Sequence, residues 1–246
     1  MKKVFLFITC FFLLVATFAQ KPPSHAVWEK LLKKNVNEAG LVNYKGFQKD
    51  KAELDSYLKT LSDNSPQTSW SENEQKAYWI NAYNAFTVSL ILQHYPVKSI
   101  KDIGAAIQIP FVNTPWDIKF INLGGKKYDL NNIEHGILRK KFNDPRIHFA
   151  IVCASMSCPR LRNEAYTAVK LDMQLEEGGK DFLNDRSKNN INTDKVQLSK
   201  YFSWYKGDFT KNGSIGDFIN KYSQTKINAN TSINYLDYNW NLNEQK

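Results

Sequence analysis

Residues 77–93 read AYWINAYNAFTVSLILQ, without a single charge. Tyr78, Trp79, Ile80, Tyr83, Phe86, Val88, Leu90, Ile91 and Leu92 fall on every face of a 3.6-residue helix. A helix that is apolar all round has no solvent face, so the stretch predicts a helix buried inside a domain, with other elements wrapped around it. It is too short, and too interrupted by Asn81 and Asn84, to span a bilayer. Ser71, with Glu74 three residues on, is a capping box that starts the helix, and Pro96 ends it.

On the N-terminal side, Trp28, Leu31 and Leu32 begin a short amphipathic helix. Leu54, Tyr57, Leu58 and Leu61 have helical spacing within 51–61. On the C-terminal side, Ile118, Phe120 and Ile121 lead into Gly124-Gly125, and Tyr128 and Leu130 lead out, which is the pattern of a β-hairpin. Asn131 or Asn132 can cap a helix carrying Ile133, Glu134, His135, Ile137, Leu138 and Arg139. Residues 147–153 form an apolar run that reads as a buried strand. The polar stretch 180–195 reads as exposed, and 201–209 as an aromatic cluster. Ile233, Tyr235, Tyr238 and Trp240 suggest a closing strand. The fold class expected is α+β: a single compact, mainly helical domain over 20–246, around a small sheet that includes 118–130 and 147–153.

Residues 1–19 have the three parts of a cleavable signal peptide: Lys2-Lys3, an apolar run over 4–15, and Thr17-Phe18-Ala19 before Gln20. Cys10 sits inside the apolar run, where a lipid-anchor cysteine would follow it. The expected location is therefore the periplasm or the exterior. The formal charge of +9, less the two leader lysines, leaves +7 on the remainder. This excess is spread along the chain without a basic block. It implies no nucleic-acid partner and at most a weak preference for acidic surfaces. No cofactor is implied. Beyond the leader only Cys153 and Cys158 remain, so the fold must rest on its apolar core.

The residues able to carry chemistry cluster in three places. Asn81 and Asn84 are amides in the buried helix and need polar partners there, either a loop backbone or a substrate. Glu134 and His135 are adjacent, about 100° apart on an α-helix. An ionised Glu134 near the core would need a cation, for which Arg139 and Arg146 are candidates. In a regular strand His148 and Cys153 would point to opposite faces. Cys153, among apolar neighbours, reads as a small core residue. Cys158 follows the small-residue loop 154–157, with Arg160 and Arg162 nearby to favour a thiolate. A thiolate nucleophile also needs a base, which His135 or His148 can supply. Backbone N–H groups of the loop, with Asn84, can stabilise an oxyanion. Three alternatives stand beside this reading. Cys153 and Cys158 can form a disulfide. The same cysteines with His135 and His148 can hold zinc, although Cys-x4-Cys matches no strong zinc spacing. The whole cluster can also be structural.

The motifs YWINAYNAFT (78–87), IEHGILR (133–139) and DPRIHFAIVC (144–153), continuing through Ser157-Cys158-Pro159 to Leu161-Arg162, resemble the family of domain of unknown function 547. Similar tail elements are Phe202-Ser203-Trp204-Tyr205 with Asp208-Phe209, and residues 235–240. The resemblance spans roughly 28–242 and implies no established reaction. The expected function is an exported thiol-dependent hydrolase or acyl transferase. Cys158 would be the nucleophile and His135 the base, with Glu134 and Asn84 orienting. Asn81, Arg146, His148 and Cys153 would support the site, and no metal is called for. Papain-like enzymes place cysteine before histidine along the chain, so this order would be permuted. The alternatives are a non-catalytic envelope or secreted binding protein, and a redox or zinc-binding domain.

Overall fold

Polar groups carried into an apolar interior must find partners there, and two asparagines in one helix organise much of this fold. The computed structural model describes residues 20–246; the leader expected over 1–19 lies outside the described residues. Helices α1 (Ala26–Asn35), α2 (Tyr44–Lys49) and α3 (Lys51–Asp63) precede α4 (Glu72–His94) and pack on one another and around it. Ser71 and Glu74 make the expected capping box at the start of α4. From Gln75 to Val88 every residue of α4 is buried. Its aromatic side chains engage several neighbours. Tyr78 donates its hydroxyl to the Leu61 carbonyl, Trp79 meets Tyr128 edge to face, and Phe86 meets Phe120.

The hairpin is present but short: β1 (Ile121–Leu123) pairs antiparallel with β2 (Lys126–Tyr128). Gly124 and Gly125 turn it with φ of +57° and +75°, the doubly left-handed geometry that glycine adopts without a Cβ penalty. A π-helix (Asn132–Leu138) follows and runs into α5 (Arg139–Lys141). The expected cap is displaced by one contact. Asp129, rather than Asn131 or Asn132, supplies the carboxylate oxygen that accepts from the Asn132 N–H at 2.6 Å.

The main departure is at 147–153, which is not a strand. Pro145–Phe149 is a 3₁₀ turn, and 150–154 continues as irregular, buried chain. With no neighbouring strand to pair with, this backbone takes its hydrogen bonds from α4. Asn84 Nδ2 donates to the Ala150 carbonyl (2.8 Å), and Asn84 Oδ1 accepts from the Val152 N–H (3.0 Å). Asn81 treats Tyr166 the same way, donating to its carbonyl at 2.7 Å and accepting from its N–H at 3.0 Å. Each amide thus stands in for one rung of a sheet.

The second half of the chain covers the other side of this segment. It contains α6 (Leu171–Asn184), whose last residues run into the 180–195 stretch expected to be exposed, then β3 (Asn190–Ile191) and β4 (Lys195–Leu198). Next come α7 (Tyr201–Trp204), α8 (Lys206–Phe209), α9 (Ile215–Tyr222) and the closing strand β5 (Ser232–Tyr235). β4 lies between β3 (antiparallel) and β5 (parallel). The chain is mainly helical with two small separate sheets, an α+β fold whose centre is α4 rather than a sheet. Among the described residues no helix is long and apolar enough to cross a membrane.

Truncating Asn84 to alanine strands a buried carbonyl and a buried N–H, each costing about 1–3 kcal/mol. Asn84→Ala is therefore expected to lower the unfolding free energy by about 2–4 kcal/mol in urea titrations. Ser71→Ala, which removes only an exposed helix cap, should cost about 1 kcal/mol.

Candidate functional site

Cys153 follows the segment that Asn84 pins, and the next residue, Ala154, has φ +54°. A left-handed, non-glycine residue is unfavourable by about 1–3 kcal/mol and tends to mark a functional turn. The turn is held from the C-terminal tail. The Asn243 N–H donates to the Ala154 carbonyl (3.2 Å), and the Met156 and Ser157 N–H groups donate to Asn241 and Asn239. This holds Cys153 Sγ 3.2 Å from Ser155 Oγ and 3.1 Å from the Tyr238 hydroxyl, which also accepts from Ser155.

Cys153 lines a cavity of about 210 Å³ together with Glu134, His135, Tyr83, Tyr205 and Trp204. Glu134 and His135 share it because they sit on a π-helix, closed by the Arg139 N–H on the Glu134 carbonyl. More residues per turn means a smaller angle between neighbours than an α-helix gives, and such turns recur at functional sites. Glu134 is 4 % exposed. Its Oε2 accepts from the Tyr83 hydroxyl at 3.2 Å, whereas Oε1 is buried without a hydrogen-bond partner. The cation expected beside it is absent. Arg139 gives Nε to Asp208 (2.6 Å), and Arg146 forks onto Asp144 with Nε and Nη2 both at 2.9 Å.

His135 is half-buried, and its Nδ1 lies 2.8 Å from a terminal nitrogen of Arg139. A guanidinium only donates, so Nδ1 accepts and the neutral ring carries its proton on Nε2. Burial lowers the His135 pKa, and the Arg139 charge pushes it the same way. His148 is fully buried, with Nε2 donating to Asp208 (2.8 Å) and its ring stacked on Tyr205 at 3.9 Å. The His148 hydrogen bond, with Arg139, holds the Asp208 carboxyl well below the usual carboxylate range.

The two thiols differ. Both are free and buried. Burial pushes the Cys153 thiol up, but hydrogen bonds involving Cys158, Ser155 and Tyr238 more than offset this, leaving it below its ordinary value. Burial, reinforced by Cys153, pushes Cys158 well up. Cys158 does not line the cavity. Its Sγ accepts the Cys153 N–H at 2.9 Å and lies 3.6 Å from the Tyr201 hydroxyl. The arginines expected to activate it are engaged elsewhere: Arg160 with Asp181, and Arg162 with Glu164 and Glu177. The structure therefore brings together Cys153, Glu134 and His135, and separates Cys158, Asn84, Asn81, Arg146 and His148 from that cavity. Sequence reasoning missed Tyr83, Ser155 and Tyr238 as partners of these groups. Tyr238 lies in the tail motif and in the expected closing strand, and neither signal pointed to the thiol. Among the described residues, no three His, Cys, Asp or Glu side chains gather as metal ligands.

Asp208 contributes stability in its ionised form. Because its folded pKa is depressed, this contribution is present above the unfolded value near 4 and is lost as pH falls below it. Asp208→Asn is therefore expected to melt lower than wild type at pH 7, with the gap closing below about pH 4 in a melting-temperature series.

No curated protein and no solved structure matches the chain. Residues 67–183 match a family model described as "Protein of unknown function, DUF547". The matched stretch contains α4, the π-helix and the thiol loop, whereas Tyr201, Tyr205, Tyr238 and Trp240 lie beyond it. What the chain shares with the DUF547 family is residues 67–183, the stretch that carries the π-helix and both thiols.

Proposed function

We propose that the protein is a thiol-dependent acyl-transfer enzyme, a hydrolase or acyl transferase, with Cys153 as nucleophile. The observation that carries this reading is one cavity holding three groups: the more acidic of the two thiols, a buried carboxylate oxygen without a partner, and an imidazole. Glu134 acts as the base. Its unpartnered Oε1 takes the thiol proton as sulfur attacks the acyl carbon of an ester or thioester. The S–C bond forms, the bond to the leaving oxygen or sulfur breaks, and the proton passes from Glu134 to that leaving group. Water, or an acceptor hydroxyl or amine, then attacks the acyl-cysteine, gives up its proton through Glu134 and releases the thiol. His135, with its proton on Nε2, serves as a hydrogen-bond donor to the developing oxyanion, a role suited to an imidazole kept neutral. The Tyr238 hydroxyl, already 3.1 Å from Sγ, is a second donor. Asn84 acts on the site through backbone: it positions the chain that carries Cys153. The leader of residues 1–19 would deliver this activity outside the cytoplasm.

An electrophilic thiol probe on the full protein tests the assignment. Labelling is expected to survive in Cys158→Ala and to vanish in Cys153→Ala; the opposite pattern overturns it. With a reactive short-chain ester as substrate, Glu134→Gln should lower kcat by about 10²–10⁴-fold. His135→Gln, which keeps a donor, should retain more activity than His135→Ala. On export, the mass of the protein purified outside the cytoplasm should correspond to a chain beginning at Gln20; an intact Met1 there would refute cleavage.

A further inference from the structure

Between Gly104 and Asn113 the chain has no charged residue. Four large apolar side chains stand in solvent there: Ile107, Ile109, Phe111 and Val112 are 80, 54, 69 and 66 % exposed. Contiguous exposed apolar surface of this kind marks a binding site. The loop has a defined shape. Gln108 Nε2 donates to the carbonyls of Lys101 (2.7 Å) and Ile103 (3.1 Å), and Asn113 Nδ2 donates to that of Ile107 (2.8 Å). Phe111 sits at φ +62°, strained for a bulky residue. Its ring meets His135 edge-on at 5.2 Å.

A second cavity, of about 310 Å³, lies between this loop and the thiol cavity, and Trp116, Asn131, His135 and Trp240 line both. Apart from His135 Nε2 and the Lys101 ammonium, its polar side chains are engaged within the protein. Gln108 holds the loop, Thr114 donates to Asp117 (2.6 Å), Asn131 donates to Asp117 (2.7 Å), and Lys101 sits 5.2 Å over the Trp240 ring. Between His135 at one end and Lys101 at the rim, the surface left for a ligand is mostly apolar: Pro110, Phe111, Trp116 and Trp240. A sugar or a peptide would lose hydrogen bonds to water here without replacement, whereas a hydrocarbon chain loses none. Outside the cavity, Ile107, Ile109 and Val112 continue the apolar surface of the same loop, and isoleucine and valine offer no stacking face for a sugar.

We propose that this groove takes the aliphatic chain of the acyl substrate. The carbonyl sits at Cys153, and the chain runs past His135 and over the Trp116 and Trp240 rings, which meet edge to face at 5.9 Å, to Phe111 and Pro110 of the loop. The proposal rests on the thiol acyl-transfer reading, and two measurements separate them. With p-nitrophenyl esters from acetate to dodecanoate, kcat/KM is expected to rise about threefold per methylene through octanoate. In the double variant Pro110→Ser, Phe111→Ser, at two exposed loop residues that line the groove, that slope should flatten. Independently of chemistry, Cys153→Ala protein should bind dansyl-undecanoate, and adding the two serine substitutions should weaken binding at least tenfold. Acetate turnover with no chain-length slope and no probe binding overturns the groove while leaving the thiol reading standing. Probe binding lost with the serines, but no ester turned over, supports the groove and removes the thiol reading.

Discussion

The amide of Asn84, wedged between the Ala150 carbonyl and the Val152 N–H, is the contact on which the candidate site depends. The segment before Cys153 runs through the core without strand or helix to absorb its polar groups. Buried backbone must be paired, and the pairing here comes from a side chain on a helix that neighbours enclose on every face. A helix so enclosed cannot roll, so Asn81 and Asn84 form a fixed template for two separate loops. The thiol therefore inherits its position from the best-packed element of the protein. That rigidity supports the left-handed turn at Ala154, which the tail closes from the opposite side through Asn243.

Charge is distributed unevenly around that thiol. None of Arg139, Arg146, Arg160 and Arg162 lines its cavity, and each is committed to a carboxylate. Glu134, which has the most to gain from a cation, has a tyrosine hydroxyl instead. Burial and the carboxylate on the same cavity raise the Cys153 thiol, but the hydrogen bonds around the sulfur outweigh them and leave the thiol below its ordinary value. Hydroxyls, from Ser155 and Tyr238, and not arginines, are what Cys153 touches.

Local patterns were legible in the sequence, and non-local ones were not. The charge-free run at 77–93, the Ser71–Glu74 box and the Gly-Gly turn each encode their own geometry within a few residues, and each is found. The apolar run at 147–153 showed burial but not conformation; only a partner 68 residues away in the chain, Asn84, determines what that backbone does. Choosing Cys158 over Cys153 failed to anticipate the cavity for a related reason. Arg160 and Arg162 are close to Cys158 in sequence, but in space they face Asp181, Glu164 and Glu177. The π-helix was equally invisible, because an extra residue in a turn leaves the apolar spacing of 133–138 almost unchanged while bringing Glu134 and His135 to one cavity.

The site is also divided along the chain. Glu134, His135 and Cys153 lie within the stretch that matches the family model, while Tyr205, Trp204 and Trp240 on the cavity wall lie beyond it. The latter are positioned by different means: α7 sets Trp204, and the parallel pairing of β5 on β4 delivers the chain to Tyr238 and Trp240, whose rings pack on Trp204 at 4.8 and 5.7 Å. The two parts meet at the thiol. Asn239, Asn241 and Asn243 of the tail close the turn after Cys153, and the Tyr238 hydroxyl reaches its sulfur. A change in the tail therefore alters both what enters the cavity and the setting of the group that would react there, so selectivity and chemistry are coupled in this architecture through Cys153.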